Sequence, residues 1–167
     1  TATAGALRFE KTFSIDERYM IAVKHTVTNA GDVAARVQPY GFVIQRGIPD
    51  NLVHLPVHEG PIFVADAQLV QRKYKNAAKN AVEAAGAAGW AGITSQYWLA
   101  AVAPPRAEGF TASMKNVGDL AAPIFRSGYL LAERDLPAGA SITFDGRAFS
   151  GPKEVSLLRD YQKPGGD

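Results

Sequence analysis

The chain has 167 residues, with 18 Lys or Arg against 16 Asp or Glu, so its net charge is +2 with the three His neutral. This length fits one domain with its own core, and so small a net charge argues against nucleic-acid binding. The absence of Cys excludes disulfides, thiol nucleophiles and Cys-bound metals, and it leaves the redox compartment open. No apolar run approaches the ~18 residues of a membrane span. The chain begins without Met, so we expect a piece of a longer protein.

A period of two dominates the first part of the chain. Apolar and polar side chains alternate from Leu7 to Phe13 and from Tyr19 to Val27, which predicts two strands with one apolar face each. Residues 29–32, Asn-Ala-Gly-Asp, predict a turn. Renewed alternation from Ala34 to Gln45 predicts a further strand run, so an antiparallel hairpin or meander is expected here.

Gly and Pro divide the middle of the chain into short apolar segments. Strands are predicted over 62–64, 68–71, 90–94, 97–103, 110–114, 124–131 and 141–149. Residues 76–89 are rich in Ala, with Lys79 and Glu83, which predicts a short helix or a connector. A series of about nine or ten short strands with regular turn signals is typical of a β-sandwich.

The period changes after Phe149. Pro152 suits the first turn of a helix, and Val155, Leu158 and Tyr161 then fall on one helical face. We therefore predict a single domain over 1–167 that ends in a helix over 151–163. Such a helix either covers the sheet or contacts a partner or a membrane surface. The residues that we assign to helix docking are Lys153, Glu154, Leu157, Leu158 and Tyr161.

The residues that could carry chemistry form no clear site. His54 and His58 resemble a zinc pair, but Pro56 disfavours a helix, and on a strand the two His would lie ~13 Å apart. We therefore expect no metal site. The charged triplets at 16–18 and 133–135 sit beside predicted turns and are expected to be solvated. No nucleophile motif and no Gly-rich phosphate loop is present.

The segment 89–98 is rich in aromatic residues. Trp90, Tyr97 and Trp98 supply large apolar areas with polar tips, and such residues pack in a core or line a ligand or peptide groove. We name these three residues as the candidate partner or peptide surface.

Several short motifs follow one another along essentially the whole chain. They are Leu7-Arg8-Phe9-Glu10-Lys11-Thr12-Phe13, Tyr19-x-Ile21-x-Val23, Thr28-Asn29, Tyr40-Gly41, His58-Glu59-Gly60-Pro61, Gly89-Trp90-x-Gly92-Ile93-Thr94-x-x-Tyr97-Trp98 and Phe149-x-Gly151-Pro152-Lys153-Glu154-x-x-x-Leu158-x-x-Tyr161. In this order they resemble the large periplasmic domain of Gram-negative YidC-type membrane protein insertases.

The resemblance implies a mainly β fold, an antiparallel β-supersandwich of the galactose-mutarotase-like kind, with a C-terminal α-helix that leads toward the membrane. It implies that the chain is the later part of that domain, without the family's earlier strands, on the periplasmic side of the bacterial inner membrane. It implies no enzymatic activity and no cofactor. The family inserts and folds inner-membrane proteins, alone or with the Sec translocon, so the implied partners are SecD/SecF, SecYEG and nascent membrane proteins.

Two other functions are compatible with a β-sandwich of this composition. A carbohydrate-binding or mutarotase-like module would stack a sugar on Trp90 or Trp98 and use a His as the base. No mutarotase His/His/Glu set aligns onto His25, His54 or His58. The second possibility is a spacer that only separates two membrane helices.

Overall fold

Alternating side chains produce strands along most of the chain. The computed structural model describes residues 1–50, 52, 57–106, 108–154 and 156. Within these residues the strands are β1 Ala2–Ala4, β2 Leu7–Ile15, β3 Met20–Asn29, β4 Ala35–Val37, β5 Tyr40–Arg46, β6 Gly60–Ala65, β7 Gln68–Gln71, β8 Val82–Gly86, β9 Gly89–Thr94, β10 Trp98–Ala103, β11 Phe110–Asn116, β12 Ile124–Leu131, β13 Arg134–Leu136 and β14 Ser141–Pro152. A single helical turn, α1, spans Tyr74–Ala77, and no helix in the described ranges has the length and apolar character needed to cross a bilayer.

The strands form two main antiparallel sheets and one small one. The eight-stranded sheet has the order β1-β2-β3-β14-β10-β9-β6-β7, and the four-stranded sheet has the order β5-β12-β11-β8. The third sheet pairs β13 with β4. The mainly β, antiparallel fold predicted from the alternation is therefore confirmed.

The main core lies between the two large sheets. Phe63 and Ala91 face inward from the eight-stranded sheet, and Phe110, Met114 and Tyr129 face them from the four-stranded sheet. Phe63, Ala91 and Met114 are completely buried. Each large apolar side chain removed from water in this way stabilises the fold by about 2 kcal/mol. The burial explains the inward-facing apolar row of the strands that line this core.

A second apolar cluster lies on the opposite face of the eight-stranded sheet. Leu99 and Ala101 alternate with the inward-facing positions of β10, and they pack with Ile62 and Phe149 from neighbouring strands. All four side chains are buried, and Trp90 and Met20 are half-buried against them. Because buried apolar side chains lie on both faces at the centre of this sheet, β10 is continuously apolar and β9 carries a single polar residue, Thr94.

Segment 76–89 is neither of the two structures predicted for it. The helical turn α1 ends at Ala77, and Val82–Gly86 forms β8, which pairs with β11. Val82 and Ala84 pack against the main core, while Glu83 is exposed. Pairing with β11 therefore outweighs the helix propensity of an Ala-rich segment.

The strands also differ from the prediction at three other places. The run from Ala34 to Gln45 divides into β4 and β5, which belong to different sheets, and Pro39 lies between them. β1 was not predicted. Residues 133–135, predicted to be solvated beside a turn, are exposed, but Arg134–Leu136 forms the strand β13, and Asp135 pairs with Arg36 of β4 at 3.2 Å.

The predicted start of the terminal helix at Gly151 is wrong. Gly151 and Pro152 belong to β14, where they pair with Leu99 and Trp98. The β10 partner extends the strand beyond Phe149 because ladder hydrogen bonds continue to that point. Residues 155 and 157–163 of the predicted helix lie outside the described residues.

The turn predicted at 29–32 is held by a buried side chain. Asn29 is almost fully buried, and its amide nitrogen donates to the carbonyl oxygens of Val33, Leu136 and Pro137 at 2.8, 3.0 and 3.2 Å. Its side-chain oxygen accepts a hydrogen bond from the backbone N–H of Gly31 at 3.0 Å. Asn29 thus joins the end of β3 to the β13–β14 turn.

We expect Asn29→Ala to lower the free energy of unfolding by about 2 kcal/mol, because it leaves buried backbone groups without partners. Urea denaturation followed by circular dichroism measures the change. Asn80→Ala, at an exposed position, is the matched control and should change stability by less than about 0.5 kcal/mol. Equal effects at the two positions would contradict the assigned role of Asn29.

Candidate functional site

Tyr97 and Trp98 form an exposed pair, here called the aromatic corner, at the turn between β9 and β10. The turn is closed by a bond from the Ser95 N–H to the Trp98 carbonyl oxygen at 2.9 Å, and the Thr94 hydroxyl donates to the same oxygen at 3.2 Å. Tyr97 is 67% exposed and Trp98 is 58% exposed. Two large aromatic side chains are therefore presented to solvent on a hydrogen-bonded turn.

The segment that leaves β14 lies directly against the aromatic corner. Pro152 pairs with Trp98, and the backbone N–H of Lys153 donates to the carbonyl oxygen of Tyr97 at 2.8 Å. Burial lowers the pKa of Lys153, and the charge of Glu59 acts in the opposite direction. Lys153 and the exposed Glu154 are the described members of the predicted docking set. Leu157, Leu158 and Tyr161 lie outside the described residues.

Trp90 lies apart from the other two aromatic residues of the predicted surface. It stands at the start of β9, five residues from Ser95, which corresponds to roughly 16 Å along the strand. It packs against the outer apolar cluster formed by Ile62, Leu99, Ala101 and Phe149. The structure therefore brings Tyr97 and Trp98 together but does not bring Trp90 to the same corner.

Trp90 instead lines a groove of about 1220 Å³, here called the outer groove. The groove crosses the face of the eight-stranded sheet that points away from the four-stranded sheet, and its lining includes Lys24, Asp145 and Arg147. No His is among its described lining residues. This groove was not predicted from the sequence. The available signal was the outward alternation of Thr143, Asp145 and Arg147 in β14.

The histidines are placed without a convergent partner set. The His58 Nε2 lies 3.1 Å from the carbonyl oxygen of Pro61, and His54 is outside the described residues. His25 lies on β3 opposite Lys11. The parts of the chain that the structure describes contain no group of three or more His, Cys, Asp or Glu that could hold a metal.

Both described histidines lower stability in acid. Burial lowers the pKa of His25 below 6.5, and the charge of Lys11 adds to the shift. Burial also lowers the pKa of His58; Lys153 and Lys73 add to this shift, while the Pro61 hydrogen bond and Glu59 oppose it. As the pH falls below about 6.5, the unfolded chain binds these protons before the folded chain does. Acid therefore lowers the free energy of unfolding.

We expect the free energy of unfolding to be constant for these groups above about pH 7 and to decrease between about pH 6.5 and 5. Urea denaturation at several pH values in this range measures the slope. The double variant His25→Gln/His58→Gln should have a flatter profile than the unmodified chain. An identical slope in the two proteins would show that other groups cause the pH dependence.

The family of the chain follows from its sequence match. Residues 1–165 match the family described as the YidC periplasmic domain. The chain is a member of the YidC periplasmic domain family. The resemblance inferred from the ordered motifs is thereby confirmed.

Curated relatives of this YidC domain are named membrane protein insertase YidC. The protein from Dinoroseobacter shibae is 30% identical over an alignment of 167 positions. The match covers 94% of this chain and 27% of the relative. The protein from Maricaulis maris is 33% identical over 158 residues, with 93% and 27% coverage. This chain therefore spans about a quarter of the length of these relatives.

A solved structure places the YidC domain in a fold class. A galactose mutarotase related enzyme from Lactobacillus acidophilus superposes with a TM-score of 0.52 and 10% sequence identity, covering 86% of this chain and 61% of that one. The predicted galactose-mutarotase-like fold is confirmed. At this level of identity the likeness concerns the fold alone, so it does not transfer the enzyme's chemistry.

Proposed function

We propose that this chain is a non-catalytic interaction domain, on the periplasmic side of the inner membrane, of a protein that inserts and folds inner-membrane proteins. The observation that carries the proposal is the family match over residues 1–165, together with relatives named as insertases. A domain with two exposed aromatic residues on a hydrogen-bonded turn is suited to binding a protein partner, since aromatic side chains supply much of the energy of such interfaces.

The partners that we propose are nascent membrane proteins and components of the Sec translocon, namely SecD/SecF and SecYEG. The proposed contact surface joins the aromatic corner to the segment that begins at Lys153, because the two are adjacent in space. Trp90 lies apart from this surface and is proposed to contact a partner separately, through the outer groove. The terminal segment with Leu157, Leu158 and Tyr161 is proposed to dock on the domain and to carry it toward the membrane.

Photo-crosslinking in the full-length parent tests the aromatic corner. A photoreactive amino acid at Trp98 is expected to crosslink to a nascent membrane protein or a Sec component during insertion. Tyr40, which is 58% exposed on β5 of the other sheet, is the matched control position and should give no such product. Crosslinks of equal yield from both positions, or from neither, would contradict the proposed surface.

Two further variants separate an interaction domain from a spacer. Leu158→Asp, which would place a charge on the apolar face of the helix predicted from the sequence, is expected to reduce both stability and insertion by the parent. Tyr161→Ala should weaken insertion with a smaller loss of stability. Deletion of the sandwich with the terminal segment retained should also impair insertion. Unimpaired insertion after that deletion would support the spacer and refute the interaction domain.

A further inference from the structure

One end of the four-stranded sheet exposes cationic and aliphatic side chains together on its outer face. Val43, Met114 and Phe125 pack into the core, so the residues next to them in β5, β11 and β12 face outward. The register places six outward side chains in two adjacent rows, namely Ile44, Arg126 and Lys115 in one row and Arg46, Ile124 and Val117 in the next. We call these six residues the basic face. Three cations are interleaved there with three aliphatic side chains.

The three cations of the basic face have no acidic partner. Within the part of the chain that the structure describes, none of their side chains forms a salt bridge or a hydrogen bond. Lys115 and Arg126 stand directly opposite each other, and like charges in this arrangement destabilise a sheet. Arg126 lies over the Phe42 ring, 4.2 Å from its centroid, and its buried Nε is unsatisfied. The one acid of the four strands, Glu83, lies opposite Ser113 and not opposite Lys115. A bound anion would therefore relieve the repulsion.

The loop between β11 and β12, beside the basic face, is exposed and held in place. Leu120 in this loop is 70% exposed. The Asn116 side-chain oxygen accepts a hydrogen bond from the Ile124 N–H at 2.8 Å, at the point where the loop joins β12. The Gly47 N–H donates to the Pro123 carbonyl oxygen at 2.8 Å, which ties the end of β5 to the same loop. A braced loop thus presents a large aliphatic side chain to solvent next to the cations.

This combination of side chains fits the surface of an anionic bilayer. Lipid phosphates attract Lys and Arg, and the adjoining interface accepts aliphatic side chains, so one surface satisfies both kinds of residue. The loop adds one acid, Asp119, against the three cations, so the site as a whole remains cationic. A second copy of the chain is a poor occupant, because a two-fold contact would place the same cations against each other.

We infer that the basic face and Leu120 form a site that docks on an anionic bilayer. The aliphatic side chains of Leu120 and Val117 enter the interface, and Arg46, Lys115 and Arg126 contact lipid phosphates. The lipid is a ligand additional to the protein partners proposed above, and its presence near the chain rests on the proposed position at the inner membrane. The aromatic corner and the outer groove belong to the eight-stranded sheet, so this site is separate from both.

A dye attached at Leu120 measures the docking directly. The chain contains no Cys, so Leu120→Cys provides a unique attachment point for an environment-sensitive nitrobenzoxadiazole dye. The probes are vesicles of phosphatidylglycerol mixed equally with phosphatidylcholine, and vesicles of phosphatidylcholine alone. We expect a saturable blue shift with the anionic vesicles and roughly 10- to 100-fold weaker binding to the neutral ones, since each cation near an anionic surface favours binding about fivefold. Val33, 72% exposed beside Asn29 at the end of β3, is the matched position, and a dye on Val33→Cys should not shift.

Charge variants in the labelled Leu120→Cys background identify the cations. Arg46→Gln/Lys115→Gln should weaken binding to the anionic vesicles roughly 10- to 30-fold. Arg8→Gln/Lys11→Gln removes the same charge from exposed positions of β2 and should bind like the labelled parent variant. Circular dichroism verifies that each variant is folded.

Several results would overturn the inference. They are equal binding to anionic and neutral vesicles, unchanged binding in Arg46→Gln/Lys115→Gln, an equal shift from the dye at Val33, and no saturable response in folded labelled protein. A response to soluble polyglutamate without one to the vesicles would assign the basic face to an acidic protein and also refute the bilayer. Because the readout is lipid binding by the chain itself, failure here leaves the insertion and crosslinking results of the parent unaffected.

Discussion

Replacing Phe125 with Ala is expected to lower the free energy of unfolding by about 4 kcal/mol. Phe125 on β12 is completely buried, and its ring forms a T-shaped pair with the ring of Tyr74, with the centroids 4.8 Å apart. It packs with Ile93 and Ala77 in a cluster that joins the helical turn α1 to both large sheets. The substitution removes this packing and leaves a cavity that the surrounding strands fill only in part.

A loss of this size is a large fraction of the 5–15 kcal/mol by which domains are usually stable. Urea denaturation at neutral pH measures it. Leu120→Ala removes a side chain that is 70% exposed and should cost less than about 0.5 kcal/mol. If Phe125→Ala cost no more than Leu120→Ala, the cluster around Tyr74 would not be a packed core.

The second large effect is expected for Gly89→Ala at the start of β9. Gly89 has a φ of +152°, a conformation that residues with a Cβ rarely adopt, and it pairs with Ala65 of β6. A Cβ at this position would overlap the carbonyl oxygen of Val64, which is backbone and therefore cannot rotate away. We expect a loss of at least about 3 kcal/mol, because the strand must shift to remove the overlap.

The matched control for this prediction is Gly109→Ala. No heavy atom lies within 4 Å of a Cβ at Gly109, and its φ is not in the positive range. The free energy of unfolding should change by no more than about 0.5 kcal/mol. A small increase is expected, because Ala lowers the conformational entropy of the unfolded chain. Thermal unfolding of both variants provides the comparison. Similar melting temperatures for the two would show that β6 and β9 approach less closely at Gly89 than described.

The short strands that the sequence did not predict have a common physical cause. Residues 82–86 carry Ala and Glu in an order that no strand rule selects, and β8 exists because β11 offers it a partner. β13 is likewise a three-residue strand that forms against β4. Short strands have little local preference of their own, so their structure depends on residues far away along the chain.

Only part of the candidate site was predicted correctly from the sequence, because the separation of Trp90 from the other two aromatic residues depends on strand pairing. The composition of segment 89–98 identified Tyr97 and Trp98, which the β9–β10 turn presents together. The predicted strands 90–94 and 97–103 already implied a reversal that separates Trp90 from Trp98, because the two lie in different strands on opposite sides of one turn.

Alternation of apolar and polar residues was sufficient to establish the mainly β class and the positions of the long strands, while the order of the short motifs carried the family resemblance. These features depend on neighbours a few residues apart, whose side chains must share one face of a strand. The pairing order of the strands, the clamp at Asn29 and the row that places Arg147 between Ala22 and Ala103 were decided only by the tertiary structure. The contacts of Asn29 with Leu136 and of Arg147 with Ala22 and Ala103 join residues more than 40 positions apart, and no local pattern encodes which distant strand becomes the partner.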